Sequence, residues 1–286
     1  MYNENGSPWL ANIEIHGNKS NYVGGGILNG NSSAPVMTNM TITGNVAMYG
    51  GGMYNGNFET NAAPILTNVT ISANRAEEGG GIYEAGNDAN VTLIRNSIIY
   101  GNNSGINSLE RTKNGIQNSI IQGLEDNSNN NIPSTNPLFV DMPSYDLAPV
   151  FTGDFRLRKE SSAFMHGSST YYQSISVPNL SSITTDLAGN TRDYSGSVSL
   201  GAYDAAICVE ATQQAHSIAF LSIGHTNATV EWTSGNGSYA VVIVKEGAPA
   251  DITGLANGQI LQADNDYNSA SSSLIDGGKV VYVKGD

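Results

Sequence analysis

A disulfide framework within the chain is excluded, because Cys208 is the single cysteine among 286 residues. We interpret it as a small buried apolar residue. Long apolar runs are missing too: no stretch reaches the roughly 18 apolar residues that a membrane-spanning helix needs, so we expect no membrane insertion. Basic residues are few, and the net charge of -13 repels phosphate backbones and anionic lipid. We therefore expect no nucleic-acid partner.

Amphipathic runs typical of helices are scarce, whereas the chain contains 33 glycines and many Asn, Ser and Thr residues. This composition favours short strands and tight turns over helices. A hydrophobic fraction of 39% is sufficient to form a buried core. We predict an all-β fold.

The most prominent positive feature is a repeat that begins with three glycines and ends with an asparagine. Its clear copies are GGGILNGNSSAPVMTNMTITGN (24–45), GGGMYNGNFETNAAPILTNVTISAN (50–74) and GGGIYEAGNDANVTLIRNSIIYGN (79–102). The pattern apolar-x-Asn-x-x-apolar occurs five times, with steps of 27, 29, 28 and 22 residues, at Asn12, Asn39, Asn68, Asn96 and Asn118. In the first four copies a second asparagine follows six residues later, at Asn18, Asn45, Asn74 and Asn102. Leu124 takes that place in the fifth copy, so we predict that the array ends there.

A repeat of this length without helical spacing predicts a solenoid in which each turn of chain contributes short strands. Alternate residues are apolar in 40–43 and 69–72, which predicts that Ile42 and Ile71 stack in the core while Thr41 and Thr70 point outward. Asparagine and glycine favour the corners, because both tolerate left-handed backbone conformations. Coils stacked about 4.8 Å apart would superimpose the five aligned asparagines. We predict that they form a structural ladder in which each amide bonds the next.

The tri-glycine and asparagine units resemble right-handed parallel β-helix proteins of the pectate-lyase-like superfamily, particularly repeat-bearing, non-catalytic bacterial surface proteins and adhesins. The resemblance covers residues 1–204, with repeat coils to about 124 and irregular closing coils over 125–204. NPLFVD (136–141), GDFRLR (153–158) and DLAGNTRDYSGSVSLGAYD (186–204) are similar to segments that close the last coils in such proteins. The resemblance implies a right-handed parallel β-helix.

Residues 205–286 differ in character and resemble an incomplete fibronectin type III domain, an immunoglobulin-like β-sandwich. Trp232 on an early strand and Tyr239 at the start of the next carry the resemblance. About seven strands and a hundred residues complete such a domain, so its last strands are expected to be missing. At the other end, Met1-Tyr2-Asn3 repeats Met53-Tyr54-Asn55. We therefore expect the chain to be a fragment of a longer protein, with the signal sequence lost together with the N-terminal part.

Catalytic relatives of the β-helix class carry clustered acidic residues on one sheet, and these coils lack such a cluster. The outward strand positions are Glu14, His16, Thr41, Thr43, Thr70 and Ser72. The adjacent acids Glu77-Glu78 and Glu125-Asp126 point to opposite faces of a strand and are better explained as solvated turn charges. Asp264-Asn265-Asp266 lacks the glycine and glutamate of a calcium loop. We predict no catalytic residue, no metal site and no cofactor.

Two further groups of residues have structural interpretations. The histidines, His16, His166, His216 and His225, have no metal-ligand spacing. The basic cluster Arg156, Arg158 and Lys159 is interpreted as forming ion pairs on a closing strand, in preference to an anionic-substrate site.

One surface feature is a candidate binding site. The residue after each tri-glycine should face the core, which turns the following residue outward and aligns Tyr2, Leu28, Tyr54 and Tyr83. Tyr2, Tyr54 and Tyr83 would then form an aromatic strip able to stack on sugar rings or on partner side chains. The alternative is that loops such as 55–63 fold over the strip, or that it only packs outward.

The sequence favours a non-enzymatic extracellular or bacterial cell-surface scaffold whose lateral face serves adhesion or glycan binding. Its expected partners are glycans or host and partner surface proteins. The alternative is a fragment of a polysaccharide lyase or glycoside hydrolase whose catalytic coils are missing. A phage fibre is a third possibility, and it would require a trimer.

Overall fold

The computed structural model describes residues 1–56, 62–85, 92–158, 160–192, 196–204, 216–224, 227–233, 240–247, 250–251, 262–268 and 270–284. The chain divides into two compact units, Met1–Ala206 and Ile207–Asp286. No helix in these described ranges combines the length and hydrophobicity of a membrane span.

The first unit is a β-solenoid of about three turns with parallel sheets. Its first sheet contains one short strand from each turn, in the order β1 (Tyr2–Glu4), β3 (Ile27–Gly30), β5 (Met53–Asn55) and β7 (Ile82–Glu84). The pairs are parallel and in register, so that Tyr54 lies between Leu28 and Tyr83. The predicted parallel solenoid is confirmed.

The second sheet contains the other strands of the coils, of which the first three are eight residues long. Its order is β2 (Trp9–His16), β4 (Val36–Thr43), β6 (Ile65–Ser72), β8 (Leu93–Arg95) and β10 (Ile116–Gln117), while β9 (Ile98–Ile99) pairs with β6 and β11 (Ile120–Ile121) pairs with β9. All these pairs are parallel.

The core runs along the axis between the two sheets. Ile42 and Ile71 are paired across β4 and β6 and are fully buried, as predicted. The residues that follow the tri-glycines are fully buried in the same cluster: Ile27, Met53 and Ile82. The aligned asparagines all adopt left-handed backbone conformations, with φ from 47° to 57° at Asn12, Asn39, Asn68, Asn96 and Asn118. Each asparagine therefore makes a bend in the chain around the core, within β2, β4 and β6 or between the short strands of the later coils.

A short helix and a 3₁₀ turn lie between β9 and β10, and several small strands and further 3₁₀ turns follow the repeats. These elements are α1 (Leu109–Thr112), β12 (Phe139–Asp141), β13 (Asp154–Leu157), β14 (Gly167–Ser168), β15 (Ser197–Val198) and 3₁₀ turns at Lys113–Gly115, Ser128–Asn130, Tyr145–Leu147 and Ser169–Tyr172. β12 pairs with β13, and β14 pairs with β15, both antiparallel.

Residues 136–158, 160–192 and 196–204, which we call the return segment, run back along the outer face of the second sheet. Val150 donates its N–H to the carbonyl of Gly44 at 3.0 Å, and the ring of Phe151 lies 5.9 Å from that of His16. A second hydrophobic cluster joins the segment to the coils through Ala73, Ile98, Ile120, Phe139, Phe155, Leu157, Ala163 and Leu200. As a result Thr41 and Thr70, on the outer face, are buried.

The second unit contains antiparallel strands in two sheets. β16 (His216–Ile223) pairs with β17 (Ala228–Thr233), and β18 (Ala240–Val244), β20 (Gly278–Lys284) and β19 (Leu274–Ile275) follow one another in the other sheet. The ring of Trp232 lies 5.5 Å from that of Tyr282. The secondary structure described in this unit consists of β-strands. A fibronectin type III sandwich remains a prediction. Cys208, His225 and Tyr239 lie outside the described residues.

Candidate functional site

Two of the three predicted strip tyrosines form a stacked pair on the first sheet. The rings of Tyr54 and Tyr83 are 5.2 Å apart and inclined by only 4°. The parallel register places them one above the other, and the preceding glycine makes room, since a Cβ added to Gly79 would lie 2.8 Å from Cα of Tyr83. Glycine at position 79 therefore permits the close turn that brings the chain next to the backbone of Tyr83.

Two tyrosines that the strip prediction missed extend this pair. Tyr49 lies 5.2 Å from Tyr83 with its ring tilted, and Tyr22 lies 6.0 Å from Tyr49 in an edge-on arrangement. Both precede a tri-glycine in the sequence, in NYVGGG and AMYGGG. Their position next to the repeat could therefore have identified them from the sequence. We call Tyr22, Tyr49, Tyr54 and Tyr83 the tyrosine cluster.

Tyr2 lies apart from this cluster. Its register partner is Leu28, and Leu28 in turn separates it from Tyr54. A continuous strip of three tyrosines is therefore not formed, because the intervening coil carries leucine at this position. Tyr2 is exposed to 59% on its own.

Accessibility differs strongly within the cluster. Tyr22 is 60% exposed, whereas Tyr54 is only 7% exposed; Tyr49 and Tyr83 are half-buried. Tyr54 is thus the buried member of the cluster. Its accessible surface is formed by Tyr22, Tyr49 and Tyr83. The loop proposed to cover the strip lies partly outside the described residues, at 57–61.

Two phenols of the cluster have raised pKa values, and the cluster has acidic neighbours. Burial raises the pKa of the Tyr54 phenol, with smaller contributions from the neighbouring tyrosines. Burial also raises the pKa of Tyr83, and the charge of Glu78 adds to this effect while Arg111 opposes it. The adjacent acids Glu77 and Glu78 are exposed at the turn. The phenols of Tyr54 and Tyr83 therefore keep their protons at neutral pH and can donate hydrogen bonds.

The aligned asparagines bond one another in two pairs. Asn39 donates its amide to Oδ1 of Asn12 at 3.2 Å, and Asn96 donates to Oδ1 of Asn68 at 3.2 Å. Between these pairs the return segment takes the donors: Asn68 donates to the carbonyls of Ser199 at 2.8 Å and Gly201 at 3.0 Å. An amide group has only two hydrogens, and both hydrogens of Asn68 bond the return segment. Asn68 therefore has none left for Asn39, and the predicted ladder is interrupted between these two residues.

The same segment also bonds three other asparagines of this register. Asn39 also donates to the carbonyl of Thr185 at 2.6 Å, and Asn96 to that of Ser168 at 2.9 Å. Asn118 accepts from the hydroxyl of Tyr171 at 3.0 Å. These asparagines thus join the coils to the return segment as well as to one another.

The continuous amide ladder runs through the second asparagine of each repeat. Asn18 donates its amide to Asn45, Asn45 to Asn74 and Asn74 to Asn102, at 3.0, 3.0 and 2.9 Å. The backbone N–H of each donor bonds the same oxygen. Every coil junction in this register is therefore held by a forked contact.

The buried guanidinium group of Arg192 connects the return segment to the coils. The Arg192 side chain is fully buried; it pairs with Asp204 at 3.2 Å and donates to Oδ1 of Asn39 at 3.2 Å. Asp186 accepts from the backbone N–H groups of Asn190 and Asp204 at 2.9 Å. Residues 186–192 and 196–204 of the closing sequence thus form a hydrogen-bonded clamp on the outer face.

The other candidate groups are dispersed. The described residues contain no group of three or more His, Cys, Asp or Glu side chains placed to hold a metal ion. Arg156 pairs with Asp154 at 2.6 Å and Arg158 donates to the carbonyl of Val140 at 2.9 Å, while Lys159 lies outside the described residues. Asp264 bonds the backbone of Asp266 in a surface turn.

Comparison with protein-family models, curated proteins and solved structures finds no match. Functional inference therefore rests on the residues and their geometry.

Proposed function

We propose that the first unit is a non-enzymatic scaffold outside the cell or on the bacterial surface, and that the tyrosine cluster binds the sugar rings of a glycan. The observation that carries this proposal is the stacked pair of Tyr54 and Tyr83, extended to the surface by Tyr49 and Tyr22. It is a preformed aromatic surface whose orientation is fixed by coil stacking.

The chemistry of the cluster fits a neutral carbohydrate. Flat aromatic rings offer an apolar surface to the C–H groups of a sugar, and the neutral phenols supply hydrogen bonds at its edge. The acidic turn at Glu77 and Glu78 disfavours anionic polymers by charge repulsion. A neutral glycan is therefore the preferred ligand over an acidic one.

The opposite lateral face supports a scaffold over an enzyme. In the superfamily that the sequence resembles, catalytic acids lie on one face of the coils; here the second sheet's outer face is covered by the chain's own return segment, with Thr41 and Thr70 buried. Its polar groups are used internally, as in the bond from Ala202 N–H to Oγ1 of Thr70 at 3.0 Å. A substrate would have to displace this clamp.

A glycan array with three single variants tests the proposal. Tyr22→Ala and Tyr83→Ala should each weaken binding of a neutral glycan about tenfold or more, since each removes part of the stacking surface. Tyr2→Ala is the matched control, because it removes an equally exposed tyrosine outside the cluster and should leave binding unchanged. Equal binding by all three variants, or failure of the unaltered chain to retain any glycan, contradicts the proposal. Circular dichroism establishes that the variants are folded.

A further inference from the structure

The first unit contains no cysteine, since the single cysteine of the chain is Cys208 and the unit ends at Ala206. A disulfide therefore cannot join one of its coils to the next. Two phenols can form a covalent cross-link instead, when each loses one electron and one proton and their rings then couple. The tyrosine cluster brings phenol rings from successive coils together, so it is the place where the fold prepares such a link.

The backbones of Tyr49 and Tyr83 are both held by neighbouring coils. Tyr49 forms parallel bridges with Val23 on one side and with Glu78 on the other, and Tyr83 pairs with Tyr54 in the first sheet. The ring centres of Tyr49 and Tyr83 lie 5.2 Å apart, and the ring planes are inclined by 58°. Both residues are partly exposed, so an oxidant in solution has access to them. The fold thus places two phenols in contact before any reaction.

The other ring pairs of the cluster are less suitable for coupling. In coupled phenols the new bond lies in the planes of both rings, and the rings are twisted about it. Tyr54 and Tyr83 are stacked with their planes only 4° apart, so both rings would have to leave the stack. Tyr54 is also only 7% exposed, which leaves its phenolic proton little access to water. Tyr22 lies farther from Tyr49, at 6.0 Å and edge-on. The tilted pair of Tyr49 and Tyr83 is therefore favoured.

We propose that Tyr49 and Tyr83 are a site of oxidative cross-linking, at which a haem peroxidase using hydrogen peroxide joins them as dityrosine. Each phenol gives one electron to the oxidant and its proton to water. The two phenoxyl radicals form a bond between ring carbons ortho to their oxygens. The hydrogen on each of these carbons then moves to the phenolic oxygen, which restores both aromatic rings. The chain loses two hydrogen atoms in total, and one hydrogen peroxide is reduced to two waters.

The contact between the two rings determines which product forms. A radical on Tyr2, which is exposed and lies apart from the cluster, has to meet a radical on another molecule. Tyr49 and Tyr83 are already in contact, so their coupling is unimolecular. The link closes a loop of chain slightly longer than one coil and constrains the unfolded chain as a disulfide does. This inference goes beyond the proposed glycan binding and does not depend on it.

The test treats a dilute solution of the full chain with a haem peroxidase and limiting hydrogen peroxide. We expect the blue fluorescence of dityrosine in chains that stay monomeric in gel filtration. Proteolytic digestion and mass spectrometry should then yield a linked peptide pair that contains Tyr49 and Tyr83 and is lighter by two hydrogen atoms than the separate peptides. The cross-linked monomer should also unfold at a higher urea concentration than the untreated chain, because the loop is closed.

Tyr49→Phe and Tyr83→Phe should each lower the dityrosine fluorescence of the monomer about tenfold, since phenylalanine keeps the ring but forms no phenoxyl radical at the contact. Tyr2→Phe, which removes an exposed phenol outside the cluster, and Tyr54→Phe, which keeps the stacked ring, are the matched controls and should leave the yield unchanged. An unchanged yield in Tyr49→Phe overturns the proposal. It is also overturned by a linked peptide that joins Tyr54 to Tyr83 instead, by dityrosine confined to dimers, or by a monomer without dityrosine.

Discussion

Gly201 lies against Thr70, on the outer face of the coil that contains the central repeat. A Cβ added to Gly201 would lie 2.6 Å from Oγ1 of Thr70, and the next residue, Ala202, donates its N–H to that oxygen at 3.0 Å. The backbone of Gly201 has a φ of 80°, which disfavours any residue with a side chain. The return segment therefore depends on glycine at this contact.

Gly201→Ala should destabilise the first unit by roughly 1–3 kcal/mol, because the new methyl group clashes and the backbone is strained. The measurement is a urea titration followed by Trp9 fluorescence in a Trp232→Phe background, so that only the first unit is reported. Gly196→Ala is the matched control: its added Cβ meets nothing within 4 Å, and we expect a change within about 0.5 kcal/mol. Similar midpoints for both variants would show that the segment is held elsewhere.

The aligned asparagines give a second prediction. Asn68 and Asn12 share the left-handed conformation, with φ of 54° and 57°, so alanine strains the backbone equally at both. Asn68, however, is fully buried, donates twice to the return segment and accepts from Asn96 and Tyr172. Asn12 is exposed and, within the described part of the chain, accepts one side-chain bond, from Asn39.

Asn68→Ala should therefore cost about 2–4 kcal/mol more than Asn12→Ala, because several buried partners are left unsatisfied. The same titration with the Trp9 reporter measures the difference. If the two variants lose stability equally, the buried hydrogen bonds contribute nothing beyond the shared backbone effect, and the structural role of this register is refuted.

The coil itself was predictable from sequence, because its information is local and repeated. Ile42 and Ile71 reveal their burial by alternation, and Asn39 and Asn68 reveal the corners by their fixed spacing. Each coil presents the same pattern to its neighbour, so register follows from period.

The return segment was not predictable in the same way. Its contacts join residues far apart in sequence, such as Arg192 with Asn39 and Tyr172 with Asn68, and no repeat encodes them. The outward threonines looked solvent-exposed because alternation reports only which face a residue occupies. Half of the tyrosine cluster was predicted from the sequence, because Tyr54 and Tyr83 occupy the same repeat position. Tyr22 and Tyr49 were missed because they lie before the tri-glycines and join the cluster through ring contacts.

A second row of hydrogen-bonded side chains, which we call the polar file, lies on the first sheet and ends at Glu84. In it Asn3 donates its amide to Asn29 and Asn29 donates to Asn55, each at 2.8 Å. Asn55 then donates to Oε1 of Glu84 at 3.1 Å, and the hydroxyl of Thr92 donates to the same oxygen. Burial raises the pKa of Glu84 above its ordinary value of 4.5, although these hydrogen bonds and Arg111 oppose the shift.

This shift has a defined sign for stability. The folded state holds the Glu84 proton at pH values where the unfolded state has released it, so the contribution of Glu84 is fully present below the ordinary pKa of 4.5 and is lost as pH rises towards the folded pKa. Glu84→Gln keeps the acceptor oxygen without the charge. The variant should equal the unaltered chain below pH 4.5 and exceed it increasingly as the pH rises above that value, by about 1.4 kcal/mol per pH unit until the pH reaches the folded pKa of Glu84.

Asp126 provides a control of opposite sign. Hydrogen bonds from the Ser128 side chain and backbone lower its pKa below the ordinary value of 3.8. Its contribution is therefore present above that value and is lost as the pH falls, so Asp126→Asn should fall below the unaltered chain at neutral pH and approach it in acid. Urea titrations at several pH values with the Trp9 reporter measure both differences. A Glu84→Gln difference that is constant with pH, or that has the sign expected for Asp126→Asn, contradicts a protonated Glu84 at the end of the file.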